Sequence, residues 1–371
     1  MTDRTRGVVP DDGTFMRRAL ALAEHGWGQT APNPLVGAVV VRDGVVVGEG
    51  WHQRFGEAHA EVEALRAAGD LARGASLYVS LEPCNHHGKT PPCTDAILAA
   101  GVARVVVATR DPNAEASGGV ERLRAAGVQV DVGAEETAAR EINAAFLFAQ
   151  HASRPFVRLK LAMSLDGAIT DSKHSKGWLT GASARAEVHR MRAGCDAVAI
   201  GIGTAVTDDP LLTVRDAPAP RVSPARVVFD TSAHLPMTSR LVRTARDTPT
   251  IVVCWAPDPS HAAALAHAGV ILVHAASLSE ALVKLREEGI RDLLVEGGAA
   301  LASSFMQEQL VDRLVIFRAP IILGAGAVNA FSALGPFDVE QAVRWRLVET
   351  KRFGDDEMTV YAPPEGNVGA I

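Results

Sequence analysis

Glu82-Pro83-Cys84-Asn85-His86-His87-Gly88-Lys89-Thr90-Pro91-Pro92-Cys93 is the stretch on which the fold of the first half turns. It follows a strand-like run, Leu77 to Ser80, and leads through a proline pair suited to a first helical turn into a helix. Upstream, Glu57-Ala58-His59-Ala60-Glu61-Val62 opens another helix, of about Ala60 to Ala68. A strand end and two helix starts therefore offer one imidazole, His59, and two thiolates, Cys84 and Cys93. Three such ligands leave the fourth tetrahedral position of a zinc ion to water, the layout of a catalytic site, and zinc lowers the pKa of that water toward neutrality. A structural zinc or a set of core residues is the alternative, and His86 and His87 are competing ligands.

Outward from this stretch, strand and helix signals alternate. A helix is predicted near Phe15 to His25, a hairpin over Val36 to Val41 and Val45 to Val47 turned by Asp43-Gly44, a strand at Arg104 to Ala108, a helix at Val120 to Ala126 and a strand at Val128 to Asp131. One last helix, Glu135 to Gln150, ends in His151-Ala152-Ser153-Arg154-Pro155, where a domain boundary is expected. The pattern is a three-layer α/β domain over 1-150. A second α/β domain over 151-371 follows. Its strands are expected near Phe156 to Met163, Ala197 to Ile200, Arg226 to Phe229, Thr250 to Cys254, Val270 to Val273, Asp292 to Val295 and Arg313 to Phe317. Helices fall at Ser183 to Ala193, Leu278 to Glu288 and Ala300 to Glu308. Antiparallel-looking strands at Trp345 to Arg352 and Met358 to Tyr361 make its sheet mixed.

Composition narrows the function. The chain of 371 residues is 47% hydrophobic and 22% charged, as a water-soluble two-domain protein would be. Met1 to Asp12 is polar, without a secretory signal, so a cytoplasmic location is expected. Four cysteines make no disulfide framework; Cys195 and Cys254 read as buried core. With 37 basic against 43 acidic side chains the net charge of -6 has the wrong sign for holding long nucleic acid, and no apolar run spans a membrane. A small molecule is the expected partner, and a homo-oligomer is compatible with the sequence.

The acid/base candidate is Glu61, placed to take a proton from the water and return it to a departing amine, as in zinc deaminases. Eight residues separate Cys84 from Cys93, more than the usual pair. With that expanded loop, with Pro32-Asn33-Pro34-Leu35-Val36-Gly37-Ala38-Val39 and with the His59-Ala60-Glu61 run, the first half resembles the riboflavin-pathway deaminase of the nucleobase-deaminase superfamily, and a cytidine-deaminase-like fold is implied. The resemblance implies deamination of a 2,5-diamino-6-ribosylamino-pyrimidinone 5′-phosphate, in a pocket lined by Asn33, His52, Lys89, Asp111 and Asn113, with Lys89 toward the phosphate. Each of these alone also reads as a turn residue or a solvated charge.

From Pro155 onward the chain resembles the riboflavin-pathway reductase, whose fold is similar to dihydrofolate reductase. The carriers are Leu159-Lys160-Leu161-Ala162-Met163-Ser164-Leu165-Asp166-Gly167, Trp178-Leu179-Thr180, the run from Gly203-Thr204 through Asp208-Asp209-Pro210 to Val214-Arg215, and Val295-Glu296-Gly297-Gly298. Gly201-Ile202-Gly203-Thr204-Ala205-Val206 lacks the third glycine of a dinucleotide fingerprint, and a Rossmann unit is rejected. Gly297-Gly298, between a strand and a helix, can still turn bare N–H groups toward a pyrophosphate; a plain tight turn is the alternative. The resemblance implies reduction of the ribosylamino group to the ribitylamino product by NADPH. It assigns substrate contacts to Lys176, Arg192, Leu212, Arg215 and Glu296, and cofactor contacts to Ala162, Trp178, Thr204, Asp208, Thr231, Gly298, Ala299, Ala300, Leu301, Ala302, Ser303 and Ser304. Arg192 and Arg215 suit the sugar phosphate as guanidinium forks, and Lys160 and Glu296 are candidates for steering protons. Arg192 by itself reads equally as part of a solvated helix face.

Two rivals differ in class. A deaminase of nucleic-acid bases would need a basic groove and stacking aromatics, against an aromatic share of 5%. A scaffold with a dead site is opposed by the intact His59, Glu61, Cys84 and Cys93, and would bind zinc without releasing ammonia.

Overall fold

The computed structural model describes residues 11–364, apart from 176, 337 and 341. The chain divides into two compact units, Met1–Gln150 and His151–Ile371.

In the first unit the elements run α1 (Asp12–Ala23), β1 (Gly37–Arg42), β2 (Val45–Trp51), α2 (Ala60–Ala68), β3 (Ser76–Val79), α3 (Cys93–Ala100), β4 (Arg104–Val107), α4 (Gly119–Ala125), β5 (Gln129–Val132), α5 (Glu136–Ile142) and α6 (Ala144–Ala149). The strands form one sheet in the order β2-β1-β3-β4-β5, antiparallel at β2/β1/β3 and parallel from β3 to β5. Successive side chains of a strand point to opposite faces, and the apolar residues obey that alternation. Ala38, Val40, Leu77, Val79, Val105 and Val107 pack on α2, α3 and α4, whereas Val39, Val41, Tyr78 and Val106 pack on α1 and α5. The result is the three-layer sandwich expected. Asp43 and Gly44 both take positive φ, 52° and 76°, as a two-residue hairpin turn requires. Gly50 lets α2 lie directly on the sheet, because a Cβ there would come within 2.4 Å of the Ala64 nitrogen.

One expectation fails in detail. The single helix over Glu135 to Gln150 is two helices, broken at Asn143, whose backbone (φ −109°, ψ 17°) leaves the helical region while its side chain bonds elsewhere.

The second unit runs β6 (Phe156–Met163), β7 (Ala168–Thr170), α7 (Ala182–Ala193), β8 (Ala197–Gly201), α8 (Ile202–Asp208), β9 (Ala225–Phe229), α9 (Arg240–Arg243), β10 (Thr250–Cys254), α10 (Pro259–His267), β11 (Ile271–His274), α11 (Leu278–Glu287), β12 (Asp292–Glu296), α12 (Ala299–Gln307), β13 (Arg313–Arg318), β14 (Val328–Asn329), β15 (Arg346–Phe353) and β16 (Asp356–Ala362). The main sheet has the order β11-β10-β9-β8-β12-β6-β13-β16-β15; it is parallel through β13 and antiparallel at β16 and β15, so it is mixed. Apolar clusters cover both faces. Sequence reading missed α8, α9, α10 and the small β14-β7 pair. For α10 the signal was present: Asp258 caps it by accepting from the His261 N–H at 2.8 Å, and Pro259 occupies its first turn. Among the described residues no helix is long and apolar enough to cross a membrane.

Candidate active sites

In the first unit α2 and α3 start side by side at the C-terminal end of β3. His59 is the residue before α2 and Cys93 the first residue of α3, while Cys84 lies on the loop after β3. The His59 Nδ1 stands 3.2 Å from the Cys93 Sγ and 3.5 Å from the Cys84 Sγ. Ligands in a tetrahedron around zinc sit about 3.5 Å from each other, so the three atoms fit the ion as they stand. They form a candidate metal cluster among the described residues, and His86 and His87 are not part of it. His87 is exposed, while the buried His86 Nδ1 faces no partner among the described residues.

The thiols also fit a cation electrostatically. A hydrogen bond from the Cys93 thiol, with help from His59, holds Cys84 down at about 4, whereas the same contact and burial push Cys93 up. Two adjacent buried sulfurs both ionise only with positive charge between them. A zinc ion held by this set acidifies a water in its fourth position. Glu61, in the first turn of α2, is 3% exposed, and burial pushes its carboxyl up to about 7, so it holds or gives up a proton near neutrality.

All five pocket residues named from sequence line the same cavity as His59, Glu61 and Cys84. His52 donates from Nδ1 to the Ala58 carbonyl (3.1 Å), which leaves Nε2 to accept from the Asn33 amide at 3.2 Å; burial lowers its pKa and keeps the ring neutral. Asp111 accepts from the Asn113 N–H at 2.9 Å, and burial raises its pKa. The Lys89 ammonium lies 4.1 Å from the centre of the Phe55 ring.

Sequence reading missed Glu82. Its buried carboxylate accepts from the backbone N–H of Asp111 (3.3 Å), Gly118 (3.2 Å) and Val120 (3.1 Å), and so ties the loop carrying Asp111 and Asn113 to the strand end carrying Cys84. Phe55 and Phe146 were missed as pocket walls as well.

In the second unit Lys160 on β6 and Glu296 at the end of β12 are register partners on adjacent strands. Arg192, on the last turn of α7, grips Glu296 with two parallel bonds, Nε to Oε1 at 2.5 Å and Nη2 to Oε2 at 2.8 Å, and donates from Nη1 to the Thr213 carbonyl at 3.0 Å. Burial raises the Glu296 pKa, but Arg192 and then Lys160 outweigh it and hold the carboxyl at about 2. Burial lowers Lys160. The reading of Arg192 as a phosphate fork is thereby narrowed, because its fork already holds a carboxylate. Arg215 is exposed and its backbone N–H donates to His189 Nδ1 at 3.1 Å; Leu212 is buried with φ +53°.

Gly298 caps α12 directly after β12, as expected, and a Cβ on it would stand 3.2 Å from Thr204 Oγ1 on α8. The N-termini of α8 and α12 thus adjoin. The bare N–H groups of α12 are those of its first turn, Ala299, Ala300 and Leu301. The run to Ser304 is longer than the donor set: the Ala302 N–H already bonds the Gly298 carbonyl at 3.0 Å, Ala302 and Ser303 are buried, and Ser304 donates to the Ala300 carbonyl. Ala162 lies near the end of β6, Asp208 ends α8, Thr231 follows β9, and Trp178 is 76% exposed with Arg185 stacked 5.3 Å from its ring centre. Lys176 lies outside the described residues.

Fold and metal cluster are those of a zinc-dependent deaminase joined to a second α/β unit. The family profile of the cytidine and deoxycytidylate deaminase zinc-binding region matches residues 10–109, and that of the RibD C-terminal domain matches 155–359. The chain is 42% identical over 348 residues to the riboflavin biosynthesis protein RibD of Aquifex aeolicus, covering 93% of this chain and 96% of that one. It is 38% identical over 370 residues to the Escherichia coli protein of the same name, covering 93% and 97%. Among solved structures, Acinetobacter baumannii RibD superposes with a TM-score of 0.81 at 38% identity, covering 95% of this chain and 99% of that one. The Thermotoga maritima diaminohydroxyphosphoribosylaminopyrimidine deaminase/5-amino-6-(5-phosphoribosylamino)uracil reductase does so with 0.81 at 36%, covering 95% and 99%. The chain belongs to the RibD family, and it is a bifunctional deaminase and reductase of riboflavin biosynthesis.

Proposed function

We propose that the two activities divide at the unit boundary, with 1-150 the deaminase and 151-371 the NADPH-dependent reductase, and that they act in that order on one phosphorylated pyrimidine. The first step takes 2,5-diamino-6-(5-phosphoribosylamino)pyrimidin-4-one and water, breaks the bond to the 2-amino group and releases ammonia. The observation that carries it is the convergence of buried Glu61 with His59, Cys84 and Cys93 in one cavity that Asn33, His52, Lys89, Asp111 and Asn113 also line. Glu61 carries the proton from the attacking water to the leaving nitrogen, a task its buried place in the same cavity as the ligands suits. Asn33, Asp111 and Asn113 orient the ring, and Lys89 faces the phosphate. His52, held neutral, fixes the Asn33 amide.

In the second step the ribosylamino sugar opens and is reduced to the ribityl chain of 5-amino-6-(5-phosphoribitylamino)uracil. NADPH supplies the hydride when bound. The first turn of α12 and Thr204 suit its pyrophosphate, and Lys160 gives a proton toward the sugar while Glu296 and Arg192 hold the ammonium's field. Arg215 meets the sugar phosphate. All four cysteines are free, which supports a reducing, cytoplasmic setting for the enzyme.

The test supplies the diaminopyrimidinone ribosyl phosphate to the zinc-loaded protein and follows ammonia and NADPH in one vessel. Ammonia followed by NADPH loss is the expected order. NADPH loss without ammonia reverses the proposed sequence, and the absence of both signals overturns the substrate assignment.

A further inference from the structure

The deaminase profile ends at residue 109, yet one wall of the cavity comes from far beyond it. Asn143 breaks the helical run between α5 and α6, is 3% exposed, and turns its amide onto the backbone of Leu35. Its Oδ1 accepts from the Leu35 N–H at 2.8 Å and its Nδ2 donates to the Leu35 carbonyl at 2.9 Å. Both hydrogen-bonding groups of one residue in a pocket rim are thus satisfied by one side chain, as a neighbouring strand would satisfy them. The same rim carries Asn33, Pro34 and Val36, all of which line the cavity, and its other end is held by the His52 N–H donating to the Val36 carbonyl at 2.8 Å. Three residues past the break, on the first turn of α6, Phe146 lines the same cavity. The break in the helix therefore serves two ends: it frees Asn143 to hold the rim, and it starts α6 where Phe146 meets the pocket.

We propose that Asn143 and Phe146 complete the substrate-binding wall of the deaminase, Asn143 as a positioning residue that fixes the Asn33–Val36 rim and Phe146 as an apolar wall against the ribosylamino-pyrimidine. This inference rests on the reading of the cavity as the deaminase site. His59, Cys84 and Cys93 would hold the metal that activates the attacking water, and Glu61 would move the proton, whichever aminopyrimidine is present; a wall contributed by a segment outside the matched core decides how that ring fits.

The full-length, zinc-loaded protein is the test material, with Phe146→Ala, Phe146→Leu, Asn143→Leu and Asn143→Asp compared with wild type. Ammonia release is measured against the concentration of diaminopyrimidinone ribosyl phosphate, together with zinc content and NADPH reduction of the already deaminated product. Phe146→Ala raises KM about tenfold with kcat nearly unchanged, because the contact is equal in ground and transition states, and Phe146→Leu raises it by less. Asn143→Leu raises KM and also lowers kcat as Asn33 drifts, and Asn143→Asp, which keeps the acceptor for the Leu35 N–H, recovers part of both. Zinc content and the reductase step stay at wild-type values throughout. A wild-type KM in Phe146→Leu and in any soluble Phe146→Ala overturns the assignment of the wall. Equal losses in Asn143→Leu and Asn143→Asp, or losses that follow zinc content, make Asn143 merely structural. If wild type itself releases no ammonia, the reading of the pocket fails first.

Discussion

Replacing Glu296 by Gln tests the charge arrangement at the centre of the second unit. Lys160 and Arg192 are both partly buried there, and Glu296 is the carboxylate that faces them; the Arg192 and Glu296 side chains are only 12% and 13% exposed. The Glu296 pKa falls from its ordinary 4.5 to about 2 in the folded protein. A carboxyl lowered in this way binds fewer protons folded than unfolded, so its stabilisation is present above about pH 4.5 and fades as the pH falls toward 2. A depression of that size is worth about 3 kcal/mol at neutral pH. Breaking a buried ion pair on one side costs about 3–5 kcal/mol by a separate route, which agrees. Glutamine keeps the shape and one acceptor for the guanidinium but leaves two buried cations facing each other. The Lys160 pKa then falls further, and since a lowered lysine binds fewer protons folded than unfolded, the variant regains part of its stability as the pH rises. Urea unfolding read by pulse proteolysis, whose fragments tell the units apart, measures this across pH 3 to 9, roughly the span of both titrations. The expected result is a lower midpoint for the second unit at pH 7, a gap that narrows toward pH 3, and reductase activity reduced beyond what folding explains. A Glu296→Gln protein as stable as wild type at pH 7, or a gap independent of pH, would refute the reasoning.

Glu61→Gln is expected to abolish ammonia release while zinc content and reduction of the deaminated product persist; loss of zinc in that variant means that the glutamate is structural. In Glu82→Gln the oxygen facing Gly118 and Val120 is retained and the new NH2 opposes the Asp111 N–H, at a cost of about 1–3 kcal/mol, with kcat for deamination falling while zinc stays bound. A kcat equal to wild type in a measurably less stable protein would separate Glu82 from the positioning of Asp111. Chelation of the metal should stop ammonia release and leave NADPH reduction of deaminated product intact, since the metal cluster lies wholly in the first unit; a parallel loss of both steps contradicts the division of labour. Cleavage near Arg154 should yield two folded pieces, checked by amide exchange of each, and two insoluble pieces contradict independent folding.

What the sequence discloses follows how far apart the partners lie. His59 with Glu61, the proline pair before Cys93, Asp43-Gly44 and the valine-rich runs of β1 and β4 each act within a few residues, and each was readable. Arg192 was not readable as the holder of Glu296, because the two stand 104 positions apart and a lone arginine on a helix suits a phosphate or solvent equally. Glu82 stands inside a legible motif, yet its role depends on Asp111, Gly118 and Val120 meeting it in space. Asn143 interrupts an alanine-rich helical pattern that continues on both sides, and asparagine in a helix costs too little to announce a break. Only its bonds to Leu35, 108 residues earlier, show why the helix stops.

These three side chains share a physical logic that separates them from the residues of the chemistry. Glu82 and Asn143 bind backbone, and Arg192 binds a carboxylate; none of them needs to touch substrate for its loss to be felt, because each fixes a group that is expected to. Each is largely buried and spends its polar atoms on partners distant in sequence, so its removal leaves unpaired donors or charge in a place water does not reach. The consequence is a difference in kind between variants. Substitution of Glu61 removes a proton carrier from a pocket that keeps its shape, and zinc, stability and the other activity stay behind. Substitution of Glu82, Asn143 or Arg192 changes geometry or charge first and rate second, so a loss of stability accompanies the loss of activity. Glutamine at 82 and aspartate at 143, each retaining part of the original bonding, are the variants that separate those two effects.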